Sequence, residues 1–199
     1  MLLAILQRFI IPQLMYANSL LLVVDNGSIY TKNLINFLSE KKIKFISQKF
    51  DEVDLSDIQQ FNSFILSGRR KNDRKINAVN SKIIKYAVSE EKSLLGICYG
   101  AEILTQTLGG TIKKASKQVK GEETVTVEKE NKICQNEINV FESHRYEISK
   151  LGNQLHSLAS SKSCKYEVIK HNEHNIFGTQ FHPEMSSDGM SIIQAFLSL

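Results

Sequence analysis

Apolar residues fall along this chain in blocks of two kinds. The first is a short continuous run. Residues 20–25 read LLLVVD and end at Asn26-Gly27. A run this short, closed by turn residues, predicts a strand buried on both faces. Residues 43–47, residues 63–67 (SFILS, closed by Gly68) and residues 93–97 predict further strands. The second kind repeats at helical spacing. Leu34, Ile35 and Leu38 stripe residues 31–42, and Val79, Ile83, Ile84 and Val88 stripe residues 76–89. A short helix is expected over residues 54–60. Another covers residues 101–108 and is stopped by Gly109-Gly110.

Strand and helix therefore alternate through the first half. That alternation predicts an α/β fold with an open, mostly parallel twisted sheet and helices on both faces. After Gly110 the texture changes. Residues 124–129, 138–141, 166–171 and 176–182 read as strands with few helices between them, and residues 187–198 as a closing helix. This half predicts a smaller mixed or antiparallel sheet. In open α/β sheets, ligands bind beyond the carboxyl ends of the strands. Ser67-Gly68, Cys98 and His182 all fall at such ends.

Residues 19–199 read as one domain, and residues 1–18 as an extension outside the core. Residues 1–11 are apolar but interrupted by Gln7 and Arg8 and followed by Pro12. The run is too short for a bilayer span, which needs ~20 apolar residues. A signal peptide would place its charge before the run, not within it. Met15 is a candidate natural start.

Composition narrows the picture only in part. The net charge is +4, but lysines are interspersed with acids, which argues against a nucleic-acid surface. Cys98, Cys134 and Cys164 are far apart, with no C-x-x-C pair. That argues against a zinc ribbon or dithiol site and suits a reducing cytoplasm.

The strongest local pattern is Gly96-Ile97-Cys98-Tyr99-Gly100. It has the form of a nucleophile elbow, a turn from strand to helix. The two glycines allow backbone to approach closely. A helix starting near Tyr99 turns free N–H groups toward the sulfur, which favours thiolate, and sets the Tyr99 N–H to bind an oxyanion. Cys134 and Cys164 lack this setting and read as small buried hydrophobes.

The second pattern is Phe181-His182-Pro183-Glu184. Side chains two apart on extended backbone share a face. A carboxylate on one ring nitrogen leaves the other free as a base. The order is nucleophile, histidine, acid, unlike the α/β-hydrolase order. His171 and His174 are spaced H-x-x-H but read as a solvated turn, and His156 has no evident partner. No metal site is expected.

An elbow cysteine in GICYG with a late FHPE resembles the class I (triad) glutamine amidotransferases, whose sheet is flavodoxin-like. The resemblance runs from about Leu20 to the C-terminus. LLVVDN and FILSG resemble the family's first strand and oxyanion strand. Tyr99, ESHRYEI (residues 142–148) and GTQFHPE (residues 178–184) resemble the GMP synthase branch most. The resemblance implies that Cys98, His182 and Glu184 form the catalytic triad. It implies that Tyr99, Gly68, Arg69 and Glu102 border oxyanion or substrate, and that His144 and Tyr146 face a partner. It also implies glutamine as substrate and, for partner, the ATP-pyrophosphatase (synthetase) subunit of GMP synthase. The chain has no G-x-x-x-x-G-K-S/T loop, so ATP and Mg²⁺ are expected on that partner and no cofactor here. Another biosynthetic synthetase as partner, or a weakly active regulatory homologue, are the alternative readings.

Three positions depart from the family pattern. Ser67-Gly68-Arg69-Arg70 stands where Ser-Gly-Gly-Pro is usual. Arg69 lacks the backbone freedom of the glycine whose N–H usually serves the oxyanion. One lost donor costs ~10²–10³ in rate. Glu102 stands in place of Gln, and Tyr146 in place of the Asp of S-H-x-D. A Glu102 carboxylate either repels the substrate's own carboxylate or faces away.

Overall fold

A computed structural model describes residues 19–71 and 73–199. The expected extension over residues 1–18 and the candidate start Met15 lie outside the described residues. The first half alternates as its pattern predicts. Strands β1 (Leu21–Asp25), β2 (Phe45–Lys49), β3 (Ser63–Leu66) and β4 (Ser93–Ile97) are interleaved with helices α1 (Thr31–Glu40), α2 (Arg74–Ser89) and α3 (Tyr99–Thr107). The helix expected over residues 54–60 is a single 3-10 turn, Ile58–Gln60.

The second half contains β5 (Thr111–Val127), β6 (Glu137–Lys150), β7 (Leu155–Ser160), β8 (Val168–His171), β9 (Ile176–Thr179) and α4 (Ser187–Leu197). Among the described residues the strand order is β2-β1-β3-β4-β9-β8-β7-β5-β6. The first five are parallel. From β9 outward the pairing is antiparallel. The antiparallel half is therefore not a second, smaller sheet as expected. It continues the parallel one, because β9 bonds β4 on one edge and β8 on the other.

Alternation along the central strands divides the core in two. Leu22, Val24, Phe64, Leu66 and Leu94 pack with Ile76, Ile83 and Ile84 of α2 and with Ala101 and Leu104 of α3. Leu21, Val23, Ile65, Leu95 and Ile97 pack on the other face with Leu34 and Leu38 of α1 and with Ile192, Ile193 and Phe196 of α4. Each such side chain contributes ~1.5–3 kcal/mol when fully buried. Cys98 joins the α1–α4 face. No helix among the described residues is long and apolar enough to cross a membrane.

Candidate active site

The parallel strands β1, β3, β4 and β9 deliver their carboxyl ends to one corner, and the polar groups gather there. Cys98 follows β4 directly, with φ 50° and ψ −102°. A non-glycine residue at positive φ is strained and persists only where its surroundings fix it. Two glycines permit this turn. A Cβ on Gly96 would lie 2.5 Å from the Gly100 carbonyl oxygen, and one on Gly100 would strike the Leu66 carbonyl. The Cys98 N–H donates to the Thr179 carbonyl at 2.7 Å, which ties the turn to the end of β9.

Beyond Thr179 the chain crosses toward β6. The His182 N–H donates to the Phe141 carbonyl at 2.9 Å. Here the strand ends earlier than its sequence suggests. Pro183–Met185 is a 3-10 turn with Pro at its start, where the missing N–H costs nothing. The pairing of His182 with Glu184 thus comes from a tight turn, not from two positions along a strand. Nδ1 of His182 lies 2.9 Å from Glu184 Oε1, with the two residues 3% and 1% exposed. A carboxylate only accepts, so Nδ1 carries the proton and Nε2 is left as the base. Gly68 approaches the same ring; its Cβ would lie 2.9 Å from His182 Cε1. Gly68, Cys98, Tyr99, His182 and Glu184 therefore share one corner.

Burial raises the Cys98 thiol well above its ordinary range, and the charges of Glu102, Glu142 and Glu184 raise it further. The Tyr99 N–H bonds the sulfur and opposes that rise. This burial opposes the thiolate that the helix N-terminus is expected to favour. A buried thiol among carboxylates needs a base to take its proton, and His182 is the base at hand.

Arg69 turns its side chain toward α2. Its guanidinium lies 3.8 Å over the Tyr99 ring, and Nη1 donates to Asn77 Oδ1 at 2.7 Å. The Tyr99 hydroxyl donates to the same oxygen at 2.9 Å. The Arg69 backbone bridges to Gly27. Glu102 is buried and accepts from Gln180 Nε2 at 3.4 Å; burial holds its carboxyl above the usual range.

His144, expected to face a partner, does not. Strand alternation turns it inward, only 4% exposed. Its Nε2 lies 3.1 Å from Glu142, and its Nδ1 lies 2.9 Å from the Tyr146 carbonyl. Tyr146 is 48% exposed. His171 Nδ1 accepts the N–H groups of Glu173 and His174, so this H-x-x-H holds its own turn. Cys134 and Cys164 are buried and unpaired.

Three features have no signal in the residue pattern. The Tyr30 ring meets His182 edge-on at 4.6 Å. Gln180 links Glu102 to the Tyr146 carbonyl. Glu142 and Glu167, both fully buried, face each other beside His144. Burial and mutual proximity push the Glu167 carboxyl up, and burial does the same to Glu142. Only an inward polar position on a predicted strand hints at such a pair.

A strained cysteine at the top of β4, backed by a buried histidine–carboxylate pair beyond β9, defines a class of protein. The glutamine amidotransferase class-I family model matches residues 22–198, and the chain belongs to that family. It is 30% identical to one of the subunits of the glutamine-hydrolyzing GMP synthase of Thermoplasma acidophilum, over 89% of this chain and 90% of that protein. It is 28% identical to the GMP synthase of Macrococcus caseolyticus over 93% of its own length, but spans only 37% of that protein. It is 27% identical to anthranilate synthase component 2 of Cyanophora paradoxa, over 90% and 98%. The crystal structure of a GMP synthase subunit protein from Thermoplasma acidophilum aligns with a TM-score of 0.80 at 29% identity, over 90% and 92% of the two chains.

Proposed function

We propose that this chain is the glutamine-hydrolysing half of a two-part GMP synthase. His182 Nε2 takes the Cys98 thiol proton as the sulfur attacks the side-chain amide carbon of glutamine. Glu184 holds the Nδ1 proton and stabilises the imidazolium. The Tyr99 N–H, together with the backbone at Gly68-Arg69, receives the oxyanion. The imidazolium returns its proton to the departing ammonia, leaving a glutamyl thioester. Water, deprotonated by His182, then releases glutamate and restores the thiol. Glutamine and water thus yield glutamate and ammonia. The side chains named supply every proton transfer, so this half needs no metal or organic cofactor.

Ammonia then passes to an ATP-dependent synthetase subunit that converts XMP to GMP, with ATP and Mg²⁺ held there. The setting is the cytoplasm. The observation that carries the reading is the buried His182–Glu184 pair at 2.9 Å beside the strained Cys98. Similarity to anthranilate synthase component 2 favours a second reading, the same chemistry serving another synthetase. Tyr99 after the nucleophile speaks for the GMP synthase branch, since other branches usually carry Leu there.

The test is glutamate release from glutamine, with and without a GMP synthase synthetase subunit, for wild type and Cys98→Ala. Equal rates for both proteins in both conditions overturn the catalytic reading. GMP formed from XMP, ATP and glutamine in the mixture supports the branch. Synthesis with ammonia but not with glutamine contradicts it.

A further inference from the structure

Among the described residues, the imidazole of His182 has one polar hold, the bond from Nδ1 to Glu184. A ring held at one nitrogen can still swing about that bond. The second hold must leave Nε2 free, so a hydrogen-bonding neighbour there would compete with the reaction. An aromatic ring fixes the plane without occupying a nitrogen.

Tyr30 is placed to do this. It stands at the N-terminus of α1, where its side chain makes no capping bond. Its ring lies 4.6 Å from the His182 ring at 64°, and 5.8 Å from Phe141 at 78°. Its hydroxyl donates to Ser143 Oγ at 3.3 Å. Its N–H donates to Ser28 Oγ at 3.1 Å, and the neighbouring Gly27 bridges to Arg69. One turn further on, Asn33 Nδ2 donates to Met185 Sδ at 2.9 Å. The start of α1 therefore grips the segment carrying His182 and Glu184 at both of its ends.

We infer that Tyr30 is a positioning residue for the base, its ring fixing the plane of the His182 imidazole while its hydroxyl ties that ring to β6 through Ser143. The inference rests on the reading of His182 as the base.

The experiment uses the full chain as wild type, Tyr30→Leu and Tyr30→Phe, with Cys98→Ala and His182→Ala as controls. Misplacing a catalytic group by about 1 Å costs ~10²-fold. Tyr30→Leu is expected to lower kcat about 10- to 100-fold with KM within about threefold of wild type. Tyr30→Phe keeps the ring and is expected to recover kcat to within about threefold. Nitrogen and carbon NMR relaxation of the His182 ring in the resting protein is expected to show a rigid ring in wild type and Tyr30→Phe and added ring motion in Tyr30→Leu, with Nδ1 protonated by its bond to Glu184 in all three. This readout needs no turnover.

Wild-type kcat in Tyr30→Leu, a Tyr30→Phe as slow as Tyr30→Leu, or unchanged His182 ring motion in Tyr30→Leu would each overturn the inference. Turnover abolished by the Cys98 and His182 controls but indifferent to Tyr30 sinks this inference alone. Turnover indifferent to Cys98→Ala sinks the underlying reading of the site.

Discussion

The guanidinium of Arg69 lies 3.8 Å over the ring of Tyr99, and both side chains end on the same oxygen of Asn77. A loop residue that follows β3 is thereby locked to the residue that follows the nucleophile. The lock draws on a cation–π contact and a charge-assisted hydrogen bond. Together these contribute on the order of 1–3 kcal/mol in a half-buried setting. It also fixes the backbone at Arg69, next to the proposed oxyanion position.

Arg69→Gly is expected to separate the two effects. Loss of the lock should lower the melting temperature by several degrees, at roughly 2–4 °C per kcal/mol for a domain of this size. Restored backbone freedom should raise kcat for glutamine hydrolysis. Calorimetry and glutamate release measure the two. A variant that melts lower and also turns over more slowly would show that Arg69 supports the site instead of restraining it.

Glu184→Gln leaves the shape of the His182 contact but removes the charge that fixes the tautomer. In triads of this kind that change costs up to ~10⁴ in kcat. Here a fall of about 10²–10⁴ is expected, with KM little altered and the circular dichroism spectrum unchanged. Activity close to wild type would mean that Glu184 is only a buried partner for the ring.

The Glu142–Glu167 pair predicts a pH dependence of stability. The folded-state affinity of both carboxyls for protons is raised above the ordinary value of 4.5. The fold therefore binds these protons more tightly than the unfolded chain does. The pair's contribution is complete below the ordinary carboxylate range and is lost as pH rises into the neutral and alkaline range. Urea unfolding between about pH 6 and pH 9 should show declining stability, and Glu167→Gln should flatten the slope. An equal slope in both proteins would remove the pair as its source.

Two glycines of opposite character give a contrast in stability. A Cβ at Gly100 would strike the Leu66 carbonyl, whereas at Gly109, with φ 85°, nothing lies within 4 Å. Gly100→Ala must displace β3 or α3 and is expected to cost more than about 3 kcal/mol. Gly109→Ala meets only backbone strain, about 1 kcal/mol. Denaturant midpoints measure both. Equal losses would contradict the close approach.

The parts of the fold that can be read in the sequence are those buried on two faces. β1, β3 and β4 are solid apolar runs because helices cover both sides of them. The first half of β5 leaves no such mark. Lys113, Lys114, Ser116, Lys117, Gln118 and Lys120 lie toward solvent, so no face imposes a period of two. β7 escapes as well, its LHSLAS too mixed to stand out. At the site, Cys98, His182 and Glu184 announce themselves because their chemistry lies in compact local motifs. Tyr30 does not, because its contact with His182 exists only once α1 is docked beside the turn that follows β9. The inward turn of His144 is decided by strand phase, which a short motif does not fix.

The place of β9 in the sheet has a consequence for synthesis of the protein. This strand leaves the ribosome after β4 to β8, yet it inserts between β4 and β8. Until it does, β4 presents an open edge, Cys98 lacks the Thr179 carbonyl that holds its turn, and no base is near. The nascent chain thus carries an unarmed thiol. The pairing that arms it is the one that closes the middle of the sheet, so a chain broken off before β9 would have neither a complete core nor a competent nucleophile.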